Sequence, residues 1–248
     1  MKKSVIILII MIITYNCKTE EPRYSVPDKV VMVPKNPDTS AVEQGIDAVP
    51  DYDGIQIQWY RLFDRSIDYF TIYRKGEDDR YFKKIANRNI DFTQPSNLDT
   101  TFMDTIGVEL YTDYSYYVTA TNKDGKEGPP SDTVSYLLLQ KVIIQYPKGQ
   151  FNFEVTPEFV WNMDQEYKPD YYILRIKKEI GDWLFFVAFV QSNYTNEPEI
   201  VDLNSFAPLD LDDFEAGIIY YWRVDCFGDE FPIPSGSESG WELFSVSE

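Results

Sequence analysis

Tyr114-Ser115-Tyr116-Tyr117-Val118-Thr119-Ala120 returns 106 residues later as Tyr220-Tyr221-Trp222-Arg223-Val224-Asp225-Cys226. In both copies the first, third, fifth and seventh residues are aromatic, apolar or small, and a period of two puts them on one face of an extended strand. The flanking text repeats too. Ile55-Gln56-Ile57-Gln58-Trp59 alternates in the same way and has its counterpart in Glu158-Phe159-Val160-Trp161. Eleven residues beyond each tryptophan stand Phe70, in Asp68-Tyr69-Phe70, and Tyr172, in Asp170-Tyr171-Tyr172. The offset between copies is 102 residues early and 106 late, so insertions fall in loops while the strands stay in step. Two domains of one all-β fold are expected.

On this reading Trp59, Tyr114, Trp161, Tyr220, Trp222 and Cys226 are structural core residues, facing inward. Cys226 takes the place of Ala120 and is expected to be a buried, unreactive thiol. Composition agrees with strands, because 19 Tyr and 16 Phe in 248 residues favour pleated, half-buried surfaces. A hydrophobic content of 44% argues against wholesale disorder.

The net charge is −18, and removal of everything before Cys17 takes away Lys2 and Lys3 to leave −20. Such a surface repels phosphate backbones and anionic headgroups, so no nucleic-acid partner is expected.

The first residues read Met1-Lys2-Lys3-Ser4, then nine apolar residues from Val5 to Ile13, then Thr14-Tyr15-Asn16-Cys17. Nine residues are too few to cross a bilayer as a helix and fit the apolar core of a signal peptide behind a basic start. A buried strand would have to explain the polar Lys18-Thr19-Glu20-Glu21-Pro22-Arg23 directly after it. The segment resembles a bacterial lipoprotein signal, with Thr14 and Asn16 standing where that family prefers Leu and a small residue. The resemblance implies a signal peptide over 1–16, a diacylglycerol on Cys17 and a tether over 17–27. It also implies a membrane partner reached through that lipid, at the cell envelope and in particular the outer membrane. Lys18-Thr19-Glu20-Glu21 is similar to the charged surface-export signals of some Gram-negative lipoproteins. With Cys17 lipidated, Cys226 is left without a disulfide partner.

The inward Trp59, the Tyr69-Phe-Thr-Ile-Tyr-Arg74 strand and the Tyr114-x-Tyr-x-Val-x-Ala120 strand together resemble the fibronectin type III family. Phe102-Met-Asp104 and Asn122-Lys-Asp-Gly125 through Ser131 extend the match. The second copy keeps Pro157-Glu-Phe159-Val-Trp161, Gly217 before Tyr220, and Trp241-Glu-Leu-Phe244. The resemblance implies two tandem fibronectin type III-like (immunoglobulin-like) β-sandwiches, at 28–139 and 140–248. It makes Tyr114 the corner tyrosine whose hydroxyl returns to the backbone upstream. Only Gln140 and Lys141 separate the last strand of one domain from the first of the next, so a stiff pair of domains is expected.

No chemistry-bearing constellation emerges. With no histidine in the chain, zinc sites built on Cys and His and triads using His are unavailable, and no cofactor, metal or catalytic residue is expected. Asp51-Tyr-Asp53-Gly54 lacks the third alternating ligand of a calcium loop and reads as a turn into the next strand. Glu77-Asp78-Asp79 and Asp210-Leu-Asp212-Asp213 read as acidic loop tips. Trp183 and Trp241 are not placed by alternation.

The expected function is noncovalent: a lipid-anchored binding, adhesion or spacer module. A carbohydrate-binding accessory protein is the alternative, and a hydrolase stands third. The partner is a protein or a glycan. Glycan binding would require exposed aromatic rings, and protein binding an apolar patch or an unpaired sheet edge. The second-copy insertions at 192–204 and 227–238 are the loops expected to carry recognition.

Overall fold

The computed structural model describes residues 23–40, 42–90, 100–151, 158–163, 169–179, 184–193, 195, 197–203, 214–228 and 233–246. Cys17, the segment 1–16, most of the tether, Trp183 and Asp210–Asp213 lie outside the described residues. Every regular element among those described is a strand, apart from a single 3₁₀ position at Leu203.

In the first half, β1 (Asp47–Ala48), β2 (Ile55–Gln58) and β5 (Thr101–Asp104) form one antiparallel sheet. β4 (Lys83–Asn89), β3 (Ile67–Gly76), β6 (Asp113–Asn122) and β7 (Val134–Leu138) run side by side in the facing sheet. The second half repeats the plan. β8 (Ile143–Tyr146), β10 (Glu158–Asn162) and β13 (Glu199–Asp202) form its small sheet. Opposite lie β12 (Leu184–Gln191), β11 (Tyr171–Lys178), β14 (Ile219–Phe227) and β15 (Ser235–Glu238), with β16 (Glu242–Val246) on β14 and β9 (Gly149–Phe151) on β16. The architecture is all-β, two β-sandwiches in tandem.

Each sandwich has its own core. Ile55, Ile57, Trp59, Phe70, Ile72, Tyr116 and Val118 fill the first, and Phe159, Trp161, Tyr172, Leu174, Trp222, Val224 and Phe244 the second. Full burial contributes about 1.5–3 kcal/mol per large aliphatic or aromatic side chain, which fixes the strand registers. The rings meet edge to face, Trp59 on Phe70 at 5.4 Å and Trp161 on Tyr172 at 5.5 Å, so the two tryptophans do the same work in their own domains.

Both domains close a tyrosine corner. Glu109 N–H donates to Tyr114 Oη at 3.0 Å, and Glu215 N–H donates to Tyr220 Oη at 2.9 Å. At the end of β6, Asn122 Oδ1 accepts the N–H groups of Asp124 and Lys126, and Gly125 takes φ +76° to complete the turn.

The halves are stitched through β7. Tyr136 and Leu138 point into the first core, whereas Leu137 and Leu139, one residue out of phase, pack into the second. Period-two alternation lets one apolar run serve two cores. β7 also pairs in parallel with β15, Leu137 opposite Ser235, which joins the large sheets of both domains into one ten-stranded sheet. At the short connection, Lys141 Nζ donates to the carbonyls of Val49 and Pro50. The junction is therefore held by strand pairing and shared core in addition to the brevity of the linker.

Candidate binding site

On β11 and β14 the side chains that point away from the core include Arg175, Arg223 and Asp225, and Arg175 lies directly across the ladder from Arg223. Like charges opposite one another are unfavourable, and these two are 2% and 3% exposed. Their anionic and hydrogen-bonding partners come from both domains. Asp225 reaches Arg175 Nε at 2.5 Å and Arg223 Nε at 2.9 Å, and Glu238 on β15 reaches Arg223 Nη1 at 2.8 Å. Glu43, from the first domain, pairs with Arg223 and lies 3.3 Å from Arg175 Nε. Arg175 also donates to the carbonyls of Ser40 at 2.8 Å and Asp38 at 2.6 Å.

A second layer sits behind this seam. Lys35 pairs with Asp38 and Asp47, each at 2.8 Å, and the Tyr136 hydroxyl donates to Asp47 at 3.1 Å. Burial, followed by the nearby Asp225, pushes the Glu238 carboxyl up to about 9. Burial likewise raises Glu43, against the pull of Arg223. Glu43, Asp225 and Glu238 offer carboxylate oxygens within 4.8 Å of one another, the geometry of a cation site. The arginines already supply the positive charge there, and the remaining space is about 10 Å³. The seam is a structural charge lock.

Glu43 also stands on the wall of an open groove of 460 Å³ in the first domain. One side of that groove is the exit from β2, Gln58-Trp59-Tyr60-Arg61, continuing to Phe63; another is Val33 with Val42, Glu43 and Gln44, and Thr100 and Thr101 complete it. This second wall is pinned, because Asn36 N–H donates to Gln44 O at 3.1 Å and Gly45 N–H donates to Gln58 Oε1 at 2.9 Å. Gly45 takes φ +86°, and a Cβ there would lie 2.6 Å from Lys35 N, so only glycine lets the wall close. Phe63 is 89% exposed and Tyr60 54% exposed. Two open aromatic rings beside amides, hydroxyls and a guanidinium suit noncovalent recognition of a partly apolar, hydrogen-bonding ligand.

The residues singled out from sequence fall as follows. Trp59, Tyr114, Trp161, Tyr220, Trp222 and Cys226 are all buried, and Trp222 Nε1 donates to Pro147 O at 2.9 Å. The Cys226 thiol lies 2.9 Å from Ser237 Oγ, and burial pushes it up to about 12. Trp241 is half-buried, with Lys177 Nζ 4.5 Å and the Arg223 guanidinium 4.9 Å from its ring centre, so cations occupy its faces. Asp79 takes the Gly76 N–H at 3.1 Å and pairs with Lys83, as a turn residue does, while Asp51 and Asp53 are exposed. None of these meets the groove except Trp59. The groove's Tyr60 and Phe63 were not singled out from sequence, and their only signal was a pair of aromatics continuing past a strand whose alternation had ended.

No family model matches the chain, and no curated protein matches it. Among solved structures it is similar to one titled "Myokine structure", 16% identical over 46% of this chain and 99% of that one, TM-score 0.33. It is similar to the FN1–FN3 domains of chicken CNTN1, 14% identical over 90% of this chain and 67% of that one, TM-score 0.29. A β-1,2-glucanase from Parabacteroides distasonis is 26% identical over 39% of this chain and 12% of that one, TM-score 0.30. The fold assignment rests on strand order and register.

Proposed function

We propose that the chain is a noncovalent recognition module of the bacterial cell envelope, lipid-anchored at the outer membrane through Cys17, with the first-domain groove as its ligand site. The open aromatic pair Tyr60 and Phe63 carries this reading, because large exposed rings in a groove with one pinned wall give contact area at low entropic cost. The second domain acts as a spacer, rigidly joined through β7 and the charge lock. The reading includes no turnover: the acids that converge are held by Arg175 and Arg223.

Glycan binding is the second reading, favoured by the same rings standing beside Gln44, Gln58 and Thr101. An aromatic face stacks on a pyranose ring while amides and hydroxyls take its hydroxyl groups. The test is a pull-down from detergent-solubilised native membranes run beside a glycan array, with the full chain and with Phe63→Ala and Tyr60→Ala. Loss of about tenfold or more in affinity with an unchanged thermal transition is expected. Retained binding in both variants would remove the groove as the site. Labelled fatty acid incorporated equally by Cys17→Ala would remove the anchor.

A further inference from the structure

The continuous run of the ten-stranded sheet from β12 to β4 has edge strands of opposite character at its two ends. At one end β4 reads Lys83-Lys-Ile-Ala-Asn-Arg-Asn89, three cations in seven residues, the usual means of keeping an edge from pairing with another chain. At the other end β12 reads Leu184-Phe-Phe-Val-Ala-Phe-Val-Gln191, eight residues with no charge, no proline and no glycine. Among the described residues β12 pairs only with β11, so its other side presents backbone N–H and C=O groups. Val187 and Phe189 are 38% and 46% exposed on its outer face. Phe189 continues inward across the sheet through Tyr171, at 4.7 Å between ring centres, to Phe227.

From this edge we infer that β12 pairs antiparallel with β12 of a second copy of the chain, extending the sheet through a two-fold axis. Self-pairing sets identical strands against each other, which is opposed wherever a strand carries charge and unopposed on β12. A two-fold axis perpendicular to the sheet keeps outer side chains on the outer face, so residues of equal parity meet. The register centred on Ala188 places Val187 opposite Phe189 of the copy, twice, a β-branched to aromatic pair of the favourable kind. The cations of β4 oppose β4-to-β4 pairing, so the assembly closes as a dimer and does not grow from both ends. An edge contact of this size belongs to the weak class of interface, and two bodies of net charge −18 repel, so the dimer strengthens with added salt.

The inference concerns the second domain and is independent of the groove. Sedimentation of the full chain in density-matched detergent, through the micromolar range and at two salt concentrations, tests it. Concentration-dependent dimers that increase with salt are expected. Val187→Lys with Phe189→Lys should weaken them about tenfold or more, since each lysine meets its counterpart across the axis. Phe189→Lys alone, whose ladder partner is Ile173 and not Arg175, should give a smaller loss, and Lys84→Glu on β4 none, with the thermal transition of Lys84→Glu unchanged and that of Phe189→Lys lowered by only a few degrees. A chain that stays monomeric, dimers indifferent to the lysine pair, or a strand of another protein found on β12 would each overturn it.

Discussion

One cross-strand position separates the two domains. Tyr73 faces Tyr117 in the first, and Arg175 faces Arg223 at the matching place in the second. The tyrosines stack at 4.6 Å with Phe82 edge-on at 4.7 Å, on an outer sheet face left partly open. The arginines are buried under Asp38, Ser40 and Glu43 of the neighbouring domain, with carboxylates from both domains around them. Inward positions of the repeat kept one chemistry because both cores demand it. Outward positions diverged because only one of the two faces became an interface, and a buried arginine pair is tolerable only where anions arrive to meet it.

The largest effect should come from removing Asp225, the more buried of the two anions that both arginines share. Asp225→Ala leaves them facing each other with one fewer carboxylate and should cost about 3–5 kcal/mol. Denaturant unfolding, followed by tryptophan fluorescence, reads this out; a loss under about 1 kcal/mol would mean that the seam is solvated like an ordinary surface.

A smaller, pH-dependent effect is expected at Glu238. Its carboxyl is raised by burial and then by Asp225, so the fold favours the protonated form. That contribution is complete below the carboxyl's ordinary 4.5 and is lost as pH rises toward about 9. Glu238→Gln, which cannot ionise, should lose less stability than the natural chain between pH 5 and pH 9. Parallel melting-temperature profiles for the two proteins would contradict the assignment.

The smallest effect belongs to the open face. Tyr73→Ala removes one stacked pair and its hydroxyl bond to Glu127, and should cost about 0.5–1.5 kcal/mol. A loss as large as that of Asp225→Ala would show that the tyrosine face is covered in the native assembly, and the contrast between the domains would fall.

How much of this was legible follows from what alternation encodes. Trp59, Phe70, Tyr116 and their partners Trp161, Tyr172 and Trp222 announced their burial, since a period of two decides which face meets the core. Arg175 and Arg223 stand at outward positions of their strands, where nothing local distinguishes a face open to water from one covered by another domain. Tyr60 and Phe63 lie past the end of β2, where the period stops and the side-chain direction is no longer set by the strand. Leu137 and Leu139 read simply as part of a final apolar strand, while in the fold they belong to the neighbouring core.

By itself the sequence determined two all-β sandwiches, the inward set of each and the absence of any spacer between them, all properties carried by short-range periodicity and spacing. Tertiary structure alone decided that β7 serves two cores, that Glu43 of one domain neutralises arginines of the other, and that a groove opens beside Phe63. Those features depend on the distance between residues far apart in the chain. That distance is set by how whole sheets pack, and no local pattern of side chains records it.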